Sequence, residues 1–173
     1  MRLFIVAGTM AFIVSAAPVL AQDPDLISVS AGAYDFEDYE DESAELRVEY
    51  RSGWKILGVE FGPVFRGIGP MVGLMADTNG GVFGYGGIYA DIRLGDRVVV
   101  YPTTGLGGHS EGDSRDLGGV FQFHLGVAAT YRFEDDSSLG ITVTHISNAT
   151  IHDENPGVET ILLTYTVPLK QLF

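Results

Sequence analysis

Three residues near the C-terminal end of the chain have types that together can cleave an ester. They are a histidine at 145, a serine at 147 and a glutamate at 159, within HISNATIHDENPGVE, residues 145–159. A hydroxyl becomes a nucleophile when an imidazole takes its proton. The imidazole does this best when a carboxylate holds its other nitrogen and stabilises the cation that forms. The chemistry needs all three side chains to leave the backbone in one direction, so the elements that carry them decide the matter.

Residues 138–147 alternate, with Leu139, Ile141, Val143, His145 and Ser147 on one face and Gly140, Thr142, Thr144 and Ile146 on the other. A period of two means a strand. In the next candidate strand, 157–168, Glu159, Ile161, Leu163, Tyr165 and Val167 oppose Thr160, Leu162, Thr164 and Thr166. All three polar residues therefore continue apolar stripes. Strand residues two apart are separated by about 6.8 Å on the same side. If the hairpin pairs 145 with 159, Glu159 lies roughly 5 Å, Cβ to Cβ, from His145. The spatial order is then nucleophile Ser147, base His145, orienter Glu159.

The rest of the chain must supply the wall behind them. Segment 43–51 sets Ala44, Leu46, Val48 and Tyr50 against Glu45, Arg47, Glu49 and Arg51. Segment 120–133 sets Phe121, Phe123, Leu125, Val127, Ala129, Tyr131 and Phe133 against Gln122, His124, Gly126, Thr130 and Arg132. Further strands are expected at 26–34, 70–77, 82–93 and 97–107, which makes eight. They are separated by turn residues at 78–81, Gly95-Asp96, a glycine-rich loop 108–117 and 135–137. Segment 54–69, with Gly58, Gly62, Pro63, Gly67 and Gly69, reads as an irregular connection, part of which could pair.

Arg2, the apolar run from Leu3 to Val14 and the small residues ending in Val19-Leu20-Ala21 read as a secretory signal peptide, residues 1–21. The remainder, 22–173, is expected to be one barrel domain. It has no cysteine, and it carries 9 basic against 23 acidic residues, a net −14. Nucleic acid is therefore an unexpected partner. Eight antiparallel strands can close with the apolar face inward, as in a soluble barrel, or outward, as in the outer membrane of a Gram-negative bacterium. Strands of about 10 residues, aromatics near their ends, the export signal and charged residues such as Glu45, Arg47, Glu49, Asp91 and Arg93 on the second face favour the all-β transmembrane barrel. The terminal Phe173 agrees with that reading, although Pro168 is expected to interrupt the last strand. With the N-terminus in the periplasm, strand seven ends and strand eight begins at the outside surface, level with the lipid headgroups.

The stretch His145-Ile146-Ser147-Asn148-Ala149, followed by Asn155-Pro156-Gly157 and Glu159, resembles the signature of outer-membrane lipid A 3-O-deacylases of the PagL type, an acyloxyacyl-hydrolase-like family. The resemblance implies an eight-stranded barrel with a Ser-His-Glu triad on its outer face. That triad removes the 3-hydroxyacyl chain esterified at position 3 of lipid A. It assigns Ser147, His145 and Glu159 their three roles and makes Asn148 an oxyanion-hole residue. The position of Thr150, commonly glycine in the family, would supply the second donor through its backbone N–H. The implied partners are lipid A of the outer leaflet and the outer membrane, with a homodimer compatible; no cofactor is expected.

The other polar residues have plainer readings. His124 faces the lumen and should pack there. His152-Asp153-Glu154, and His109 with Glu111, Asp113 and Asp116, read as solvated loop residues without metal-ligand spacing, though Asp116 could shape the approach to the site. The run 35–42, six acids in eight residues, reads as a solvated outside loop, with cation sharing toward lipopolysaccharide phosphates as its functional reading. The alternative to the esterase is a non-catalytic small barrel serving envelope stability or adhesion.

Overall fold

The computed structural model describes residues 23–36, 43–56 and 63–173. The expected signal peptide and most of the acidic run, 37–42, lie outside them. Eight strands run in chain order: β1 Leu26–Tyr34, β2 Ser43–Arg51, β3 Phe65–Asp77, β4 Val82–Leu94, β5 Val98–Ser110, β6 Phe121–Arg132, β7 Ser138–Ser147 and β8 Val158–Pro168. Each pairs antiparallel with its sequence neighbour, and β1 pairs with β8, so the sheet closes on itself and leaves no edge strand.

The inside-out pattern is the one a lipid surround selects. Leu46, Val72, Leu74, Leu106, Leu125, Val127, Ile141 and Leu163 stand exposed on the outer wall, while Glu45, Arg47, Glu49, Arg51 and Asp91 are buried in the lumen. A backbone crossing hydrocarbon must satisfy every N–H and C=O internally, which a closed barrel does. The lumen charges neutralise one another: Arg47 Nε donates to Glu45 Oε1 at 2.6 Å and Arg51 Nη2 to Glu49 Oε1 at 3.2 Å. The Arg51 guanidinium lies 4.7 Å from the centroid of the Tyr101 ring. Hydroxyl rungs join β1, β8 and β7 across the closure, Ser28 to Thr166 at 2.8 Å, Ser30 to Thr164 at 2.8 Å and Thr142 to Thr164 at 2.6 Å. Tyr131, Phe133 and Tyr165 are exposed toward the end where β1 begins and β8 finishes, and Phe121 toward the opposite end, placing aromatics near both rims as membrane barrels do.

The strand plan agrees with the sequence except at three places. β3 begins at Phe65, so residues 65–69 pair with β4 (Ile68 opposite Ala90, Gly69 opposite Tyr89) and are not an irregular link. The glycines there make room: a Cβ on Gly69 would come within 2.7 Å of the Tyr89 ring, and one on Gly73 within 2.3 Å of the Tyr85 ring. β5 extends to Ser110, which puts His109 on the inward face, buried, and not in a solvated loop. Pro168 does not interrupt β8 but is its last residue.

Candidate active site

The register of the last hairpin sets the site. His145 pairs with Glu159, and Ser147 is the last residue of β7. His145 and Glu159 are partly exposed on the outer wall, and His145 Nδ1 lies 2.6 Å from Glu159 Oε1. A carboxylate accepts only, so Nδ1 carries the proton and donates it. This leaves Nε2 as the ring's free base. Ser147 shares this face, two residues along, beside Phe123 of β6. Its hydroxyl forms no hydrogen bond with the ring, a contact that in many hydrolases tightens only around substrate.

Gly157, opposite the end of β7, fixes the floor under the ring. Its φ is 68°, and a Cβ there would lie 3.0 Å from His145 Cε1. Any larger residue would meet strain and the imidazole together.

After Ser147 the chain makes an unusual turn. Ala149 and Thr150 have φ of 53° and 62°, two successive non-glycine residues in the left-handed region. Each such residue costs on the order of 1–3 kcal/mol and persists only where its surroundings over-determine it. Asn148 does much of this. Fully buried, it donates through Nδ2 to Leu117 O at 2.8 Å and Glu154 O at 2.6 Å. Its backbone N–H donates to Asn155 Oδ1 at 2.9 Å, and Ile151 N–H donates to Asn148 O at 3.1 Å. Both donors of Asn148 are thus engaged within the protein. Among the described residues, the N–H groups of Ala149 and Thr150 have no partner, and the Thr150 hydroxyl donates to Ala149 O.

The loop between β5 and β6 packs over this turn. Leu117 is buried, and Gln122 Nε2 donates to Leu117 O at 3.1 Å and Gly119 O at 2.6 Å. The same loop is tied elsewhere through Ser114 Oγ to Asp77 Oδ1 (2.6 Å) and Arg115 Nη1 to Asp35 Oδ2 (2.8 Å). Asp35 is therefore a buried ion-pair partner and not part of a solvated run. Between the two loops lies a polar hollow of about 570 Å³ lined by Asp116, Gly118, Ile151, His152, Asp153 and Glu154. His152 borders it and touches Gly119, where a Cβ would come within 2.5 Å of the ring. Asp116 accepts from Gly118 N–H at 2.7 Å. His124 is a lumen residue, hydrogen-bonded to Thr103 Oγ1 at 3.2 Å and stacked on Tyr85.

Sequence reasoning identified none of Leu117, Gln122 or Gly118. The bond from Asn148 to the Leu117 carbonyl reaches across 31 residues between two loops, and only the inward phase of Gln122 hinted at a buried partner.

Comparisons with known proteins bear on the fold and the family. A lipid A deacylase PagL of Pseudomonas aeruginosa PAO1 is 30% identical over 80 residues, 43% of this chain; the chain spans about half (46%) of that relative's length. The crystal structure of the outer membrane enzyme PagL superposes with a TM-score of 0.65 at 18% identity, covering 83% of this chain and 99% of that one. A de novo designed transmembrane β-barrel superposes at 0.51 with 12% identity, over 84% of this chain and 96% of the design. Both structural likenesses speak to the fold. The family profile described as lipid A 3-O-deacylase (PagL) matches residues 43–168, so the chain belongs to that family.

Proposed function

We propose that the protein is an outer-membrane esterase that hydrolyses the 3-O-linked 3-hydroxyacyl chain of lipid A, exported by a leader of residues 1–21 that is then removed. The observation that carries the reading is the 2.6 Å contact between His145 Nδ1 and Glu159 Oε1 on the lipid-facing wall, with Ser147 on the same face. A polar trio has no stabilising reason to stand there, since apolar residues would suit lipid better.

In the mechanism, His145 Nε2 takes the Ser147 proton as Oγ attacks the ester carbonyl, and Glu159 holds the resulting imidazolium. The tetrahedral oxyanion is met by donors of the turn after the nucleophile. Asn148 and Thr150 are the residues the resemblance offers. With the N–H and Nδ2 of Asn148 engaged elsewhere, the backbone N–H of Thr150, beside that of Ala149, is the donor left free for the oxyanion. Collapse expels the sugar 3-oxygen, which takes the proton from His145. Water, activated by the same imidazole, then hydrolyses the acyl-serine. The polar hollow beside the site has room for a sugar ring of the substrate.

Mass spectrometry of lipid A from Gram-negative cells expressing the chain tests this. Loss of one 3-hydroxyacyl group in the wild type but not in Ser147→Ala is expected. Unchanged lipid A despite folded protein in the outer membrane rejects it and leaves the non-catalytic barrel.

A further inference from the structure

We infer that the loop between β5 and β6 is a positioning element of the active site: Gln122 and Asn148 grip the Leu117 carbonyl from two sides, and this grip holds the left-handed turn Ala149–Thr150 in working shape. The inference rests on the esterase reading for its catalytic consequence, but the grip itself stands on geometry alone.

Three observations converge. The turn after Ser147 is strained at two successive residues and must be restrained from outside. One carbonyl, Leu117 O, accepts from both Asn148 Nδ2 (2.8 Å) and Gln122 Nε2 (3.1 Å), and both amide side chains are fully buried. The contact is also too close for any side chain at its centre. Gly118 has φ of 78°, and a Cβ on it would lie 2.3 Å from Glu154 O and 3.1 Å from Asn148 Nδ2. Leu117 anchors the loop by packing into the core cluster with Ile146 and Val158, the residues that flank the site on the inward face.

The loop therefore reaches the nucleophile's turn by hydrogen bonds to Asn148, not to Ser147, His145 or Glu159. Gln122 is the purest reporter of the device, because it sits on β6 and bonds only to the loop's carbonyls. Losing its two hydrogen bonds frees the loop from one side, and the turn relaxes toward ordinary backbone conformations. The donors that should meet the oxyanion then move while the surface that binds the acyl chain stays in place.

The test compares Gln122→Leu and Gly118→Ala with wild type and with Ser114→Ala, which loosens the same loop at its far end. Turnover of lipopolysaccharide in detergent micelles and amide hydrogen exchange of residues 148–152 are both measured, and folding is checked by heat-modifiable gel mobility. The expected result is a fall in kcat of about 10- to 100-fold in Gln122→Leu and Gly118→Ala with KM little changed. Exchange at 148–152 should be faster in both, and Ser114→Ala should resemble wild type. Folded variants with wild-type kcat and wild-type exchange overturn the inference, as does an equal loss in Ser114→Ala, which would make general loop order the cause. If wild type itself leaves lipopolysaccharide intact, the esterase reading falls and the exchange data alone decide the grip. Should Gln122→Leu fail to fold, Gly118→Ala carries the same comparison.

Discussion

His145 and Glu159 face each other directly across the β7–β8 ladder, ring nitrogen to carboxylate oxygen, on the outside of a barrel that buries Glu45, Arg47, Glu49, Arg51 and Asp91 inside. The pairing fixes the imidazole's tautomer and orientation before any substrate arrives. Glu159→Gln keeps the shape but presents an amide that can donate to Nδ1 and so favours the wrong tautomer. Its kcat should fall about 10²- to 10⁴-fold with the barrel intact. Combined with Ser147→Ala the loss should not add, because the residues act as one unit. Released 3-hydroxy acid, quantified by mass spectrometry, gives both numbers, and a Glu159→Gln protein at wild-type rate would remove Glu159 from the site.

Gly157→Ala puts a methyl 3.0 Å from His145 Cε1, closer than ordinary van der Waals contact, at a φ that alanine resists. The ring must tilt, and a displacement of this size costs about 10- to 100-fold in kcat. The substitution sits at the rim, so heat-modifiable mobility should be retained. Full activity would mean that the ring is not held by its floor.

The lumen predicts an asymmetry in stability. Arg47 is wholly buried and hydrogen-bonds Glu45, Thr144 and Thr160. Arg47→Met strands the Glu45 carboxylate and should cost about 3–5 kcal/mol. The double change Glu45→Leu/Arg47→Met removes both charges and should recover most of it. Urea midpoints of reversible folding in micelles measure the difference, and equal midpoints for single and double variants would contradict it.

The surface below the catalytic residues consists of side chains exposed to lipid: Ile141, Val143, Leu125, Val127, Ile161 and Leu163. An acyl chain lying there meets a wall on one side only. A closed slot discriminates by about 0.8 kcal/mol per methylene, a factor of roughly 4. On this open wall kcat/KM should vary much less than that between substrates whose scissile chains differ by a methylene. A sharp optimum at one chain length in a series of synthetic lipid A esters would show that something else encloses the chain.

How much was legible in the sequence varies with the distance over which the determining contacts act. The alternation of 138–147 and 157–168 is a local signal, and it fixed both the outward phase of His145, Ser147 and Glu159 and the hairpin that aligns two of them. The charged inward face of 43–51 was equally plain, because strict period two leaves one way to bury the apolar side or expose it. Phe65–Gly69 was obscured because Gly67 and Gly69 look like turn chemistry, whereas Gly69 makes room for the Tyr89 ring on the next strand and Gly67 sits at a register shift within the ladder. Leu117 and Gly118 were hidden for the same reason at greater range, and Gln122 because its partners are backbone carbonyls: a carbonyl's value as an acceptor has no residue type attached to it. Asp35 and His109 looked solvated by their neighbours in sequence and are buried by their neighbours in space.

The packed lumen has one more consequence. With Arg47, Arg51, Tyr89, Phe83, His124 and Gln122 filling its cross-section, the cylinder is a post and not a pipe. A membrane can be studded with such posts without gaining a single water-filled channel from them.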